Sequence, residues 1–205
     1  MKFKSVLIGL EGFGLGVLAT ALYLRTPHPP GTLLEVPVLR QVTDYSCGAS
    51  ALASALGYYG KEKRESELMK EIGTSPKDGT PFTAMAQAAI KRGLQATVHH
   101  GFTVEGLRHI LDRRQIAIID LQAWHGSSTD YRAQWDDGHY VVLIGMDSER
   151  IYFMDPAILG GRGSMSLKDF NDRWHDEDVQ GERNYHTAIL LEGMPNPPPI
   201  WQTIE

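Results

Sequence analysis

The sequence predicts an α+β fold in which a helical half precedes a mostly antiparallel sheet, and three observations predict it. An alanine-rich run follows Cys47, with apolar residues at Ala49, Leu52, Ala53 and Leu56, the spacing of one buried helix face. Two runs rich in β-branched and aromatic residues, Tyr140 to Gly145 and Ile151 to Met154, flank the polar turn Asp147 to Arg150 and read as a hairpin. Helical patterns fill the first part of the chain and strand patterns the second, the order of a segregated α+β domain.

The elements follow in chain order. Leu33 to Leu39 is an edge strand or extended lead-in, since it contains Pro37. The helix after Cys47 comes next. A charged helix is expected over Glu62 to Ile72, its Lys and Glu positions forming a solvated face. Gly73 to Gly79 is a loop. Gly79-Thr80-Pro81 starts another helix, a cap with proline in the first turn, which runs to about Lys91 and ends at Gly93. Leu94 to His99 reads as a strand. Thr103 caps a helix to Arg113 that buries Leu107, Ile110 and Leu111. Ile116 to Leu121 is a buried strand, Gly160-Gly161-Arg162-Gly163 a flexible loop, Leu167 to Trp174 a helix and Ala188 to Leu191 a closing strand.

The 205 residues suit one domain with appendages, assigned as residues 1–25, 26–32, 33–193 and 194–205. Lys2 and Lys4 precede an apolar run from Val6 to Leu24, close to the ~20 residues that span a bilayer. Residues 1–25 are therefore expected to anchor the chain in a lipid bilayer, with the lysines held inside and the domain extracytoplasmic. A cleaved signal peptide, with a weak site at Ala19-Thr20-Ala21, would instead leave a secreted or periplasmic domain. A plain tail is the third reading. Glu11 opposes both membrane readings, at roughly 2.5–3.5 kcal/mol in the bilayer centre. Gly12, Gly16 and Thr20 would let two such helices pack closely, but nothing fixes an oligomeric state. Residues 26–32 form a stiff proline linker, and 194–205 an extended polyproline-like tail.

Composition narrows the function. A net charge of −5 without a dense basic stripe excludes a typical nucleic-acid binder. The single cysteine excludes an internal disulfide. No Gly-x-x-x-x-Gly-Lys-Ser/Thr loop is present, and Gly160-Gly161-Arg162-Gly163 neither follows a strand nor opens a helix, so no nucleotide is expected. His99 and His100 are adjacent strand residues pointing to opposite faces, and His175 and His186 lack partners at ligand spacing. No metal or cofactor is expected.

The chemistry gathers around Cys47. On its own it reads as a small buried hydrophobe. At a helix N-terminus, however, exposed backbone N–H groups carry about half a positive charge and favour a thiolate. A nucleophile needs a base and a group to orient that base. His139 follows Gly138 at the mouth of a strand, and Asp155-Pro156 closes the next strand. An odd connection or one bulge puts His139 and Asp155 on the same face, where the carboxylate can fix the imidazole tautomer. Gln41, six residues before Cys47, carries an amide able to reach whatever the thiol attacks. His125 is the rival base, but no following strand supplies it with an acid. Trp124 and Trp135 flank the loop Gly126 to Asp137 and read either as ordinary packing or as a grip on a peptide backbone.

Gln41-Val42-Thr43-Asp44-Tyr45-Ser46-Cys47-Gly48, Leu56-Gly57-Tyr58-Tyr59-Gly60, Gly138-His139-Tyr140-Val141-Val142, Asp155-Pro156 and Phe170-Asn171-Asp172-Arg173-Trp174-His175 together resemble cysteine peptidase family 39. These papain-like enzymes process bacteriocin leaders after a double glycine. The resemblance covers residues 33 to 192 and implies a cleft between helical and sheet halves. It implies Cys47 as nucleophile, His139 as general base and acid, Asp155 as its orienter and Gln41 as oxyanion donor. Gly48, Trp124, Gly138 and Tyr140 are then expected to contact a peptide or protein substrate. Two features depart from the pattern. Ser46 precedes the cysteine where many leader peptidases carry an acid, and the chain is too short for the transporter's nucleotide-binding domain. The stand-alone branch is implied, with double-glycine cleavage an expectation. An acyltransferase using the same acyl-enzyme and a tethered module that holds peptides without cutting them are the alternatives.

Overall fold

Six antiparallel strands carry helices on both faces. The computed structural model describes residues 33–126 and 128–196, so the expected anchor, the linker and residues 197–205 lie outside the described residues. Among the described residues no helix is long and apolar enough to cross a membrane. In chain order the elements are α1 (Cys47–Tyr58), α2 (Glu65–Ile72), α3 (Phe82–Ile90), β1 (Gln95–His99), α4 (Val104–Asp112), β2 (Ile116–Gln122), β3 (Gly138–Met146), β4 (Arg150–Met154), β5 (Arg162–Ser166), α5 (Leu167–Arg173), β6 (His175–Glu177), β7 (Arg183–Tyr185) and β8 (Ala188–Glu192). The main sheet runs β1-β8-β2-β3-β4-β5, and β6-β7 form a separate hairpin.

Strand alternation divides the core in two. Ile116, Ile118, Val142, Ile144, Tyr152 and Met154 face α1–α3, with Leu52, Leu56, Leu68 and Met85. Ala117, Ile119, Leu121, Val141, Leu143 and Phe153 face α4 and α5, with Leu107, Ile110, Phe170 and Trp174. Cover on both faces is why every residue of β2 is buried.

The expected elements are present, with corrections that have local causes. Leu33 to Leu39 is an extended lead-in, held by the Leu34 N–H on the Ile144 carbonyl at 2.8 Å. α1 is buried nearly all round rather than on one face, which explains its Ala, Ser and Gly content: only small residues let the sheet, α2 and α3 approach together. α2 begins at Glu65 instead of Glu62, after Gly60 reverses the chain at φ 66°. Pro81 occupies the N-cap position of α3 rather than its first turn. Thr103 caps α4 as expected, accepting from the Gly106 N–H at 2.9 Å, although Leu111 is only partly buried.

The largest correction concerns the glycine loop. Gly160 and Gly161 form a turn at φ 89° and 65°, and Arg162–Ser166 is β5, paired with β4 from Met154↔Arg162 to Arg150↔Ser166. It covers the outer edge of β4 with backbone hydrogen bonds that its glycine and serine composition hides. The β6-β7 hairpin was also not expected. Its polar residues fold because Asp178 Oδ1 accepts the N–H groups of Gln180 at 3.0 Å and Glu182 at 2.9 Å. One further irregularity matters for the site. The β3-β4 register shifts between Leu143 and Gly145. Without that bulge, His139 and Asp155 would lie on opposite faces.

Candidate active site

The position of Cys47 is set by a turn. Ser46 Oγ accepts from the Thr43 N–H at 3.0 Å and donates to the Thr43 carbonyl at 3.2 Å, which ends the lead-in and opens α1 at Cys47. Because this hydroxyl is turned back toward Thr43, no side chain caps the helix, and its first-turn N–H groups stay available to negative charge. Gly48 completes the approach: a Cβ there would lie 2.6 Å from Thr80 Cβ. Gly48 is therefore a clearance residue beneath Thr80.

The bulge brings His139 to Asp155. His139 is buried, and its Nε2 donates to Asp155 Oδ1 at 2.8 Å. Asp155 Oδ1 also accepts the Ala157 N–H at 2.8 Å, which holds the carboxylate in place. Cys47 lies beside the His139 ring, close enough for its sulfur to raise the imidazole pKa, and with Nε2 committed to Asp155 the ring nitrogen left to interact with it is Nδ1. Burial alone would lower the imidazole pKa, but the Asp155 and Cys47 hydrogen bonds and the charges of both groups outweigh it and lift it to about 9. Trp124 covers the ring edge-on with centroids 6.2 Å apart while remaining 60% exposed, in a left-handed backbone conformation of φ 70°.

The fourth expected residue lies on the same loop as the nucleophile. The Gln41 N–H binds the Pro156 carbonyl at 3.0 Å, tying it to the turn after Asp155. Its Nε2 donates to the Thr43 carbonyl at 2.8 Å, and its Oε1 is buried without a partner. One amide hydrogen thus steadies the loop before Cys47, and the other has no partner among the described residues.

Two cavities flank this centre. One of about 380 Å³ is lined by Cys47, Gly138 and Tyr140 together with Thr80, Asp120 and Asp176. The other, about 360 Å³, is lined by Trp124 and Asp155 with Leu121, Tyr131 and Phe153. Of the four expected contact residues, Gly138, Tyr140 and Trp124 line cavities, whereas Gly48 does not. The Tyr140 hydroxyl donates to the Thr80 carbonyl at 3.1 Å, and burial holds its pKa well above the ordinary value. The rival base His125 is exposed at the rim, paired with Asp137 Oδ2 at 2.5 Å. Among the described residues no group of three or more His, Cys, Asp or Glu side chains is arranged to hold a metal ion.

Sequence reasoning missed a polar network behind the cleft. Gln122 Nε2 donates to Asp176 Oδ1 at 2.6 Å, and its Oε1 accepts the Asp137 N–H at 3.0 Å, so one buried amide positions both the β6 wall and the residue before Gly138. Asp120, fully buried on β2, stands beside Asp176, Tyr140 and Cys47. The available signal was an aspartate followed by a glutamine in an otherwise apolar buried strand, since such groups are seldom buried without a polar network.

The Peptidase C39 family model matches residues 35–179. An uncharacterized protein of Methanothermobacter marburgensis is 31% identical over 121 residues, which cover 59% of this chain and 72% of that protein. Among solved structures, a protein of Bacillus anthracis described as a C39-like peptidase superposes with a TM-score of 0.63 at 21% identity, over 80% of this chain and 98% of that one. A double glycine motif protease from an AMS/PCAT transporter, solved in complex with the leader peptide, gives 0.55 at 22% identity, over 81% and 98%. The two structural likenesses agree on the papain-like α+β fold, and the family match supplies the chemistry. By that match the chain belongs to the peptidase C39 family and is a cysteine peptidase.

Proposed function

We propose that the chain cleaves a peptide substrate through Cys47, His139 and Asp155, with Gln41 stabilising the oxyanion. The observation that carries this reading is the position of the His139 ring, hydrogen-bonded to Asp155 at 2.8 Å and next to Cys47. In the proposed cycle the Cys47 thiolate attacks the scissile carbonyl beside the His139 imidazolium. The Cys47 backbone N–H and the free Gln41 amide hydrogen hold the oxyanion. The imidazolium gives its proton to the leaving amine. The neutral ring then takes a proton from water, whose oxygen attacks the thioester and releases the acid. Asp155 keeps the tautomer fixed throughout.

The substrate class is a peptide, and cleavage after a double glycine is supported by the fold shared with the leader-bound protease. The location proposed for the reaction is extracytoplasmic, with residues 1–25 as the tether and residues 33–193 as the catalytic domain. The decisive experiment incubates the purified chain with mixtures of internally quenched peptides, with and without Gly-Gly, and maps products by mass spectrometry. Cys47→Ala should abolish every cleavage while leaving the thermal transition in place. Full cleavage by Cys47→Ala would sink the mechanism, and cleavage indifferent to Gly-Gly would sink the leader reading alone.

A further inference from the structure

We propose that the cavity between Cys47, Asp120 and Asp176 is a subsite for a cationic group, a lysine- or arginine-like side chain of the peptide. This rests on the peptidase reading and specifies which substrates it favours. The cavity opens beside the thiol, and its volume of about 380 Å³ is within the range of ligand-sized clefts. Its lining includes Asp78, Asp120, Asp136, Asp176, Glu177 and Asp178 and no lysine or arginine. Two of these acids are already compensated: Asp78 by Lys77 at 3.5 Å and Glu177 by Arg183 at 3.1 Å. For the other four no ion pair forms among the described residues.

Acidity alone would not make a site. The second observation is Asp120, which is only 3% exposed, lines this cavity and leaves Oδ1 without a hydrogen-bond partner among the described residues. A buried carboxyl oxygen of that kind costs free energy in the empty protein, a cost that a donor entering from the cavity would offset. Asp176 meets it from β6. Its carboxylate presses against Gly138, where any Cβ would collide with it, and Gln122 holds it from behind. Burial raises Asp120 well above the usual carboxylate range, with Asp176 and Cys47 adding to the rise, and burial raises Asp176 to about 6. Two carboxyls crowded in this way resist carrying two negative charges, beside a thiol that must also become negative. A guest cation fits both demands, because it neutralises Asp176 and lies close to the sulfur. Trp135, on the cavity wall, has the Arg183 guanidinium 4.4 Å from its ring centroid, so this ring already holds one cation.

The test reads occupancy directly and does not require turnover. Carbamoylmethylation of Cys47 by iodoacetamide is timed in the presence of Nα-acetyl-lysine amide or its uncharged analogue, Nα-acetyl-norleucine amide. The lysine amide should protect the thiol saturably, at a concentration about tenfold lower than the norleucine amide, the size of one well-placed charge pair. Asp176→Asn and Asp120→Asn should erase the difference. Because a buried carboxyl variant can fail to fold, the exposed rim variant Asp136→Asn is included and should reduce it by about twofold to threefold, as expected for a partly screened charge. Equal protection by the two amides, or a lysine preference that survives in folded Asp176→Asn, overturns the subsite. The peptide mixtures separate the two proposals. Lysine-selective protection without cleavage refutes the peptidase mechanism and leaves the subsite standing, whereas cleavage without any preference for basic residues refutes the subsite alone.

Discussion

Replacing Asp155 by asparagine isolates the charge that holds His139 ready. The asparagine oxygen can still accept both the His139 Nε2–H and the Ala157 N–H, which Asp155 Oδ1 now takes at 2.8 Å each, so the geometry should persist. The negative charge is what disappears. Hydrogen bonds to charged groups contribute about 1.5–3 kcal/mol against about 0.5–1.5 for neutral ones, a difference on the order of 1–1.5 kcal/mol. At ~1.4 kcal/mol per pH unit this lowers the imidazole midpoint by about one unit, from about 9 toward about 8. The assay is a titration of the ring by carbon-detected NMR in selectively labelled protein, with the alkaline limb of kcat/KM followed on a quenched peptide. The two should shift together. A midpoint that stays near 9 in a folded Asp155→Asn variant would show that the Asp155 charge does not raise the base, and the electrostatic role assigned to it would be wrong.

Three further outcomes follow from the same geometry. Gln41→Ala should lower kcat by about a hundredfold to a thousandfold with little change in KM, as loss of one oxyanion donor does; a change confined to KM would reassign Gln41 to binding. Gly48→Ala places a methyl 2.6 Å from Thr80 Cβ, so overpacking should cost about 1–3 kcal/mol and lower the thermal midpoint, and pairing it with Thr80→Ser should restore part of that loss. His139 also links stability to pH. Its folded pKa of about 9 lies above the ordinary 6.5, so its contribution is complete below about pH 6.5 and disappears as pH rises through about 9. The full span is worth about 3 kcal/mol, and the stability gap between the native chain and His139→Gln in urea should shrink by that order between about pH 6 and about pH 9.5.

Local signals pointed to Cys47, His139 and Asp155, which the fold brings together, and pairing that local signals do not encode hid the rest. Cys47 announced itself through a polar turn before an apolar helix, and His139 and Asp155 through strand ends. Even the bulge was foreseeable, because without it the imidazole and carboxylate could not share a face. β5 was not, since Arg162–Ser166 has no apolar alternation and is a strand only because β4 offers it a free edge. The same holds for β6 and β7, three residues each, which are fixed by their mutual pairing and by the turn at Asp178. Asp120 was visible as a residue but not as a member of a group, because its neighbour Asp176 arrives from β6, a strand the sequence did not announce.

The glycines beside the two reactive residues connect chemistry to recognition. Gly48 follows Cys47 and Gly138 precedes His139, and neither is explained by chain reversal, since neither has a positive φ. Each is explained by clearance. Thr80 presses on Gly48 from the loop before α3, and the Asp176 carboxylate presses on Gly138 from β6. The same two groups wall the acidic cavity. A side chain at either glycine would thus displace a cavity wall and the adjoining reactive residue together. The Cys-Gly and Gly-His pairs are in this sense the points where the pocket is fastened to the catalytic centre, and variation in what a family member cuts is expected to enter through the residues opposite these glycines rather than through the glycines themselves.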